Sequence, residues 1–187
     1  MDEAPDYLDA KLVQARSGER SALTALVQAH QRSVYSLALR MLGTRDLAED
    51  LTQDVFMHMS ANLGAITSNT HLRFWLRRVT SNRAIDQLRH RSRLQMSSFE
   101  DRAELFSAED PADPLLQRHL RALLAHLSPP ARAVLLLRYQ EDLDPTDIAR
   151  TLDMPINTVK SHLKRSLQIM REEATRMPSE PCEDSST

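Results

Sequence analysis

No proline interrupts the chain between Pro5 and Pro111. Proline removes a helical hydrogen bond and clashes with the turn before it, so this stretch is free to form long helices. Only three glycines occur in the whole sequence. Apolar residues recur at steps of three and four, and alternation with period two is nearly absent. Leu23, Leu26, Val27, His30, Val34, Leu37, Ala38 and Met41 share one face of a helix predicted from Glu19 to Leu42 and stopped by Gly43. A shorter helix is predicted from Tyr7 to Ser17, ending at Gly18 as a left-handed cap. Thr44 is suited to cap a third helix, with Asp46 favourable beside its positive end. That helix carries Leu47, Leu51, Val55 and Met59 and should stop near Leu63, before Gly64. After a polar loop, a fourth helix is expected from about His71 to Arg93. The fold class is all-α.

The organisation expected is two small helical domains joined by a flexible linker. The first covers residues 1–95. Met96 to Pro114 has two prolines, no sustained period and a cluster of acids, and residues 96–114 read as an acidic linker. The second domain covers 115–175. Leu116, Leu120, Leu123, Leu124 and Leu127 outline its first helix, and Ser128-Pro129-Pro130 starts the next, expected over Ala131 to Tyr139. Residues 176–187 read as a polar, disordered tail. Cys182, the one cysteine, excludes a disulfide framework and a cysteine zinc site. No apolar run suits a membrane span, and Met1 to Pro5 lacks the basic-then-apolar order of a signal peptide. A cytoplasmic location without direct membrane insertion is expected.

Charge is balanced overall, with 24 Lys+Arg against 26 Asp+Glu and a net −2. It is not evenly distributed. Arg73, Arg77, Arg78, Arg83, Arg89, Arg91 and Arg93 face Asp86 alone in their stretch. Lys160, Lys164, Arg165 and Arg171 have no acid between Asn157 and Arg171. A polyanion meets these local fields and not the mean.

The sharpest motif lies between Asp144 and Arg171. A helix expected from Thr146 to Leu152 meets a break at Asp153-Met154-Pro155, and a second helix starts near Asn157, which can cap it. Ile148, Ala149 and Leu152 can face Val159 and Leu163 across the break, the pattern of a helix-turn-helix. Thr158, Lys160, Ser161, His162, Lys164 and Arg165 then stand near the start of the second helix, where such motifs meet phosphates and base edges in the major groove. The plainer alternative is a helical hairpin with a solvated basic face.

The arginine-rich helix differs. Phe74 and Trp75 open it, Arg77 and Arg78 follow, and Asn82, Arg83, Asp86, Arg89 and Arg93 occupy its later turns. Aromatics beside cationic and amide groups suit single-stranded DNA, whose bases stack or enter pockets while arginines hold the backbone. The plainer alternative is that Trp75 and Leu76, or at least one of them, are simply core. A third element is acidic: Asp46, Glu49, Asp50, Gln53, Asp54 and Phe56 remain available if Leu47, Leu51 and Val55 turn inward. That face suits a protein partner with a basic surface, or simply water.

These residues carry a family resemblance. Asp46-Leu-Ala-Glu-Asp-Leu-Thr-Gln-Asp-Val-Phe56 and Phe74-Trp-Leu-Arg-Arg-Val-Thr-Ser-Asn-Arg-Ala-Ile-Asp-Gln-Leu-Arg89 resemble regions two-two to two-four of bacterial sigma factors. Leu127-Ser-Pro-Pro-Ala-Arg132, Asp147-Ile-Ala-Arg-Thr-Leu152 and Thr158-Val-Lys-Ser-His-Leu-Lys-Arg165 resemble region four. Their order and spacing are similar to the extracytoplasmic-function, or group four, sigma factors. The family commonly has Gly where Asn157 stands and Arg where His162 stands. The resemblance implies that the acidic helix binds core RNA polymerase and that the arginine helix opens and reads the downstream promoter element. It implies that the helix-turn-helix reads the upstream element as duplex. An anti-sigma factor, often membrane-anchored in this family, is implied as a partner.

A stand-alone helix-turn-helix transcription regulator would explain the second domain but not the arginine helix or the acidic one. An enzyme is disfavoured. The seven histidines show no metal-ligand spacing pair, and three glycines supply no phosphate loop. No catalytic residue, metal site or cofactor is expected.

Overall fold

The computed structural model describes residues 5–95, 120 and 122–176. Among them the secondary structure is wholly helical. The helices are α1 (Pro5–Arg16), α2 (Arg20–Leu42), α3 (Arg45–Asn62), α4 (Asn69–Gln95), α5 (Pro129–Tyr139), α6 (Pro145–Leu152) and α7 (Ile156–Arg176), with a 3₁₀ turn at Leu63–Ala65. A further helical stretch occupies 122–125, before α5. The linker expected over 96–114, the start of the second domain's first helix and Cys182 lie outside the described residues.

The first module is built by α2 packing on α1, α3 and α4. Leu26, Leu37, Met41, Leu51, Val55, Met59, Ile66 and Leu72 are fully enclosed. Each such side chain contributes roughly 1.5–3 kcal/mol relative to exposure. Gly43 ends α2 at φ 82°, a left-handed conformation, and its N–H bonds to the Leu39 carbonyl. On α3 the inward row is Ala48, Leu51, Val55 and Met59, while Leu47 is only half-buried. Thr44 stands at the N-cap of α3, yet its side chain does not cap and its hydroxyl is buried without a partner among the described residues. The cap expected there is absent.

α4 starts two residues earlier than predicted because three elements converge on its first turn. The Asn69 N–H donates to Asp9 Oδ1 of α1 at 2.5 Å. The Ser68 hydroxyl accepts from the His71 N–H at 3.1 Å. His30 of α2 meets Asn69 Oδ1 through Nε2 at 2.9 Å. Burial, reinforced by Arg73 and Arg77 against the opposing Asn69 bond, lowers the His30 pKa. The neutral imidazole that results donates Nε2–H to the Asn69 carbonyl oxygen. A buried neutral group thus ties α2 to the start of α4.

In the second module α5 and α6 pack on α7. Asp144 caps α6, accepting from the Thr146 and Asp147 N–H groups at 2.7 and 2.8 Å. The Asp147 bond is the main reason its carboxyl titrates below the usual range. Asp153 ends α6 at φ 52°. α7 begins at Ile156, with the Thr158 N–H bonded to the Pro155 carbonyl, so Asn157 lies in the first turn and is not the cap. Ile148, Leu152 and Val159 are buried and close the helix-turn-helix as expected.

The two modules also touch. α5 packs on α2 and α4, and α6 packs on α4. The linker composition alone did not anticipate this docking.

Candidate nucleic-acid and partner interfaces

α4 presents two different faces. His71, Trp75, Arg78, Asn82 and Asp86 follow one another at helical steps along one side. With Phe74, Val79, Arg83 and His58 of α3 they line a cleft of about 450 Å³. The His58 and Trp75 rings stack at 5.4 Å with 21° between their planes. Trp75 is half-buried and also packs against the core, so it serves both roles considered for it. The cleft combines aromatic faces, an amide and two arginines within the size range of small-ligand pockets. It has the chemistry to stack and hydrogen-bond an unpaired base.

Sequence reasoning missed His58 and His71. His71 is one turn before Trp75 and in phase with Asn82 and Asp86, a signal legible on α4. His58 reaches the site only through the packing of α3, which no local pattern reveals.

Arg77 faces elsewhere. It is one position and about 100° from Arg78, and it points toward the second module, where Nε donates to Glu141 Oε2 at 2.6 Å. The expected set of DNA-facing arginines is therefore split between two sides of α4. Arg89 lies 3.9 Å from Asp86, and Arg93 Nε donates to the Arg89 carbonyl at 3.4 Å; both arginines are exposed on the outer turns.

On α3, Asp46, Glu49, Asp50, Gln53 and Asp54 are exposed. Phe56 is not: it is half-buried and packed against the core, because the inward stripe is wider than the spacing-of-four row. Glu49 pairs with Arg45 at 2.9 Å. Asp54 pairs with Arg83 of α4 at 3.5 Å, so the acidic face and the arginine cleft share an edge. Both partners of that pair are well exposed, and such pairs contribute about 0–1 kcal/mol.

On α7, Thr158, Lys160, Ser161, Lys164 and Arg165 are exposed, and His162 is half-buried. Burial first, and Arg165 second, lower the His162 pKa. At neutral pH it is an uncharged hydrogen-bonding group at the edge of a cationic face. Among the described residues no group of three or more His, Cys, Asp or Glu is placed to hold a metal ion. Nor is any helix there long and apolar enough to cross a membrane.

Residues 26–94 match the Sigma-70 region 2 family and residues 117–170 the Sigma-70 region 4 family. The chain is 32% identical over 173 residues to the ECF RNA polymerase sigma factor SigE of Mycolicibacterium smegmatis, covering 88% of this chain and 67% of that protein. The chain belongs to the ECF sigma factors. It is 26% identical to the ECF sigma factor SigW of Bacillus subtilis, over 87% of this chain and 94% of that one. Two solved structures share the fold. The sigma factor RpoE from Bartonella quintana, in complex with the anti-sigma factor NepR, gives a TM-score of 0.68 at 23% identity, over 80% of this chain and 94% of that one. CnrH, in complex with the cytosolic domain of CnrY, gives 0.66 at 19% identity, over 91% and 99%. Members of this family are transcription initiation factors that bind core RNA polymerase and promoter DNA, and this sigma factor carries both family regions in that order.

Proposed function

We propose a division of labour in which three surfaces of this ECF sigma factor each take one partner. α3, through Asp46, Glu49, Asp50, Gln53 and Asp54, binds a basic surface of core polymerase. The α4 cleft takes an unpaired base of the downstream element, with Trp75 and Phe74 supplying stacking surface and Asn82 a base-edge hydrogen bond. Arg78, Arg83, Arg89 and Arg93 hold the strand's phosphates. Arg77 joins them only when its carboxylate partner is withdrawn. α7, through Thr158, Lys160, Ser161, Lys164 and Arg165, reads the upstream element in the major groove, and neutral His162 supports one edge of that contact. The protein works in the cytoplasm, where its polymerase and promoters are, and an anti-sigma factor holds it inactive.

The observation that carries this reading is the cleft on α4. Aromatic, amide and guanidinium groups converge there, beside an acidic helix. A stand-alone regulator has no use for that cleft. Size-exclusion chromatography with core RNA polymerase tests the proposal. The chain should co-elute with core at one copy per enzyme, and elution of all of it at its own volume would contradict the proposal.

A further inference from the structure

α4 also has a side opposite its cleft. Asn69, Arg73, Leu76, Arg77 and Thr80 recur there at steps of three and four, across the helix from the Trp75–Asn82 row. With α1 and α2 they line a cavity of about 770 Å³, within the size range of small-ligand sites. Its floor is apolar, since Leu8, Val34, Leu37 and Leu76 are all buried. Its walls are cationic, with Arg32 on α2 and Arg73 and Arg77 on α4. The one carboxylate lining the cavity, Glu141, is taken by Arg77 at 2.6 Å. Arg32 and Arg73 are exposed and have no ion pair among the described residues. The neighbouring His30 registers this field: burial is the main cause of its lowered pKa, and Arg73 and Arg77 add to it.

Thr80 is the sharpest feature of the cavity. Inside a helix a threonine hydroxyl ordinarily donates to the carbonyl one turn back. Thr24, Thr52 and Thr151 do so, to the carbonyls of Arg20, Ala48 and Asp147 at 3.0, 2.6 and 2.8 Å. Thr80 lines the cavity and is fully buried, yet its Oγ1 has no hydrogen-bond partner among the described residues. A buried hydroxyl left unsatisfied weakens the fold, and valine would fill the same space without that cost.

We propose that this cavity is a binding site for a nucleoside diphosphate. Arg32 and Arg73, from opposite walls, hold the phosphates by charge-assisted hydrogen bonds. The Thr80 hydroxyl donates to a phosphate oxygen at the inner end. The base lies over the apolar floor toward Tyr7, whose ring carries Lys11 Nζ at 5.5 Å from its centroid and so brings a further cation near. Gln28, also lining the cavity, offers both a donor and an acceptor to a base edge. A ligand that meets all these groups is small, flat at one end and multiply anionic at the other. A continuing nucleic-acid strand fits less well, because its next phosphate would meet the Glu141 carboxylate.

Isothermal titration calorimetry of the full chain, without polymerase, tests the site with ADP and GDP as probes and with inorganic pyrophosphate and adenosine as their parts. At least one of the two nucleotides should bind at one site per chain, about tenfold or more tightly than either part. Arg73→Ala, at an exposed position, should weaken it by about tenfold or more, the loss of one charge-assisted hydrogen bond. Thr80→Val separates a ligand role from a structural one. It should weaken the nucleotide several-fold while leaving the Tm of the free chain unchanged or higher, because an unpaired hydroxyl gives way to a methyl group of similar size. Nuclear magnetic resonance locates the site: the His30 ring signals should move on binding, and those of His58 and His71, in the cleft across α4, should not. No heat beyond dilution from both nucleotides overturns the proposal, and equal affinity for pyrophosphate, an adventitious ion only, does the same. So does unaltered affinity in Arg73→Ala, a lowered Tm with unchanged affinity in Thr80→Val, or a response at His58 and His71 in place of His30.

Discussion

Arg165→Ala lowers transcription from a duplex promoter roughly ten- to a hundredfold, the effect of losing a bidentate base contact worth about 1–3 kcal/mol. A template with a pre-melted bubble restores little of that loss, because the upstream element is read as duplex and stays unread. Asn82→Ala and Arg83→Ala behave in the opposite way. They leave upstream duplex binding intact, slow strand opening, and are rescued at least in part by the bubble. Arg83 also pairs with Asp54, so its variant needs a check of core binding that Asn82→Ala does not. Run-off transcription on matched duplex and bubble templates reads all three. Equal rescue of every variant, or of none, would mean that the two basic elements do not divide the promoter as proposed.

Reversing charge on α3 has the other large effect. Asp50→Lys with Asp54→Lys places two cations where a basic polymerase surface should dock, and like charges juxtaposed in an interface cost on the order of several kcal/mol. Affinity for core should fall by a hundredfold or more at that cost, with unchanged circular dichroism since both positions are exposed. Asp50 has no ion pair among the described residues, whereas Asp54 already spends part of its field on Arg83. Asp50→Lys alone should therefore account for most of the loss. Titration of labelled core with each variant measures it, and wild-type affinity in the double variant would remove α3 from the polymerase interface.

Much of this was legible in the residues because it is local. Helices, their glycine stops and the break at Asp153-Met154-Pro155 follow from steps of three and four and from backbone chemistry at single positions. Where two signals competed at one position, the reading slipped. Thr44 is a good cap by type, yet its hydroxyl is buried and unused. Phe56 lies next to the buried Val55 and packs partly inward, though a strict spacing-of-four row left it outside. The larger gap concerns contacts distant in sequence. Glu141 meets Arg77 across 64 residues, and His58 meets Trp75 through helix packing. One local sign of docking was present: Ala131 to Leu137 interrupts its apolar run only with Arg132, too apolar for a helix covered on one side. Arg132 disguised it, since a buried arginine with two carbonyl partners is indistinguishable in sequence from an exposed one.

The central claim is that this chain gives core polymerase a two-part promoter specificity that core lacks. Run-off transcription by core polymerase on a library randomised upstream of a fixed start site measures it directly. Core alone should yield no enriched templates. Core with the chain should enrich templates sharing two short elements at a fixed separation, the downstream one dispensable to Asn82→Ala when pre-melted and the upstream one lost with Arg165→Ala. Transcripts no different from those of core alone, or enrichment of a single duplex element, would contradict the account.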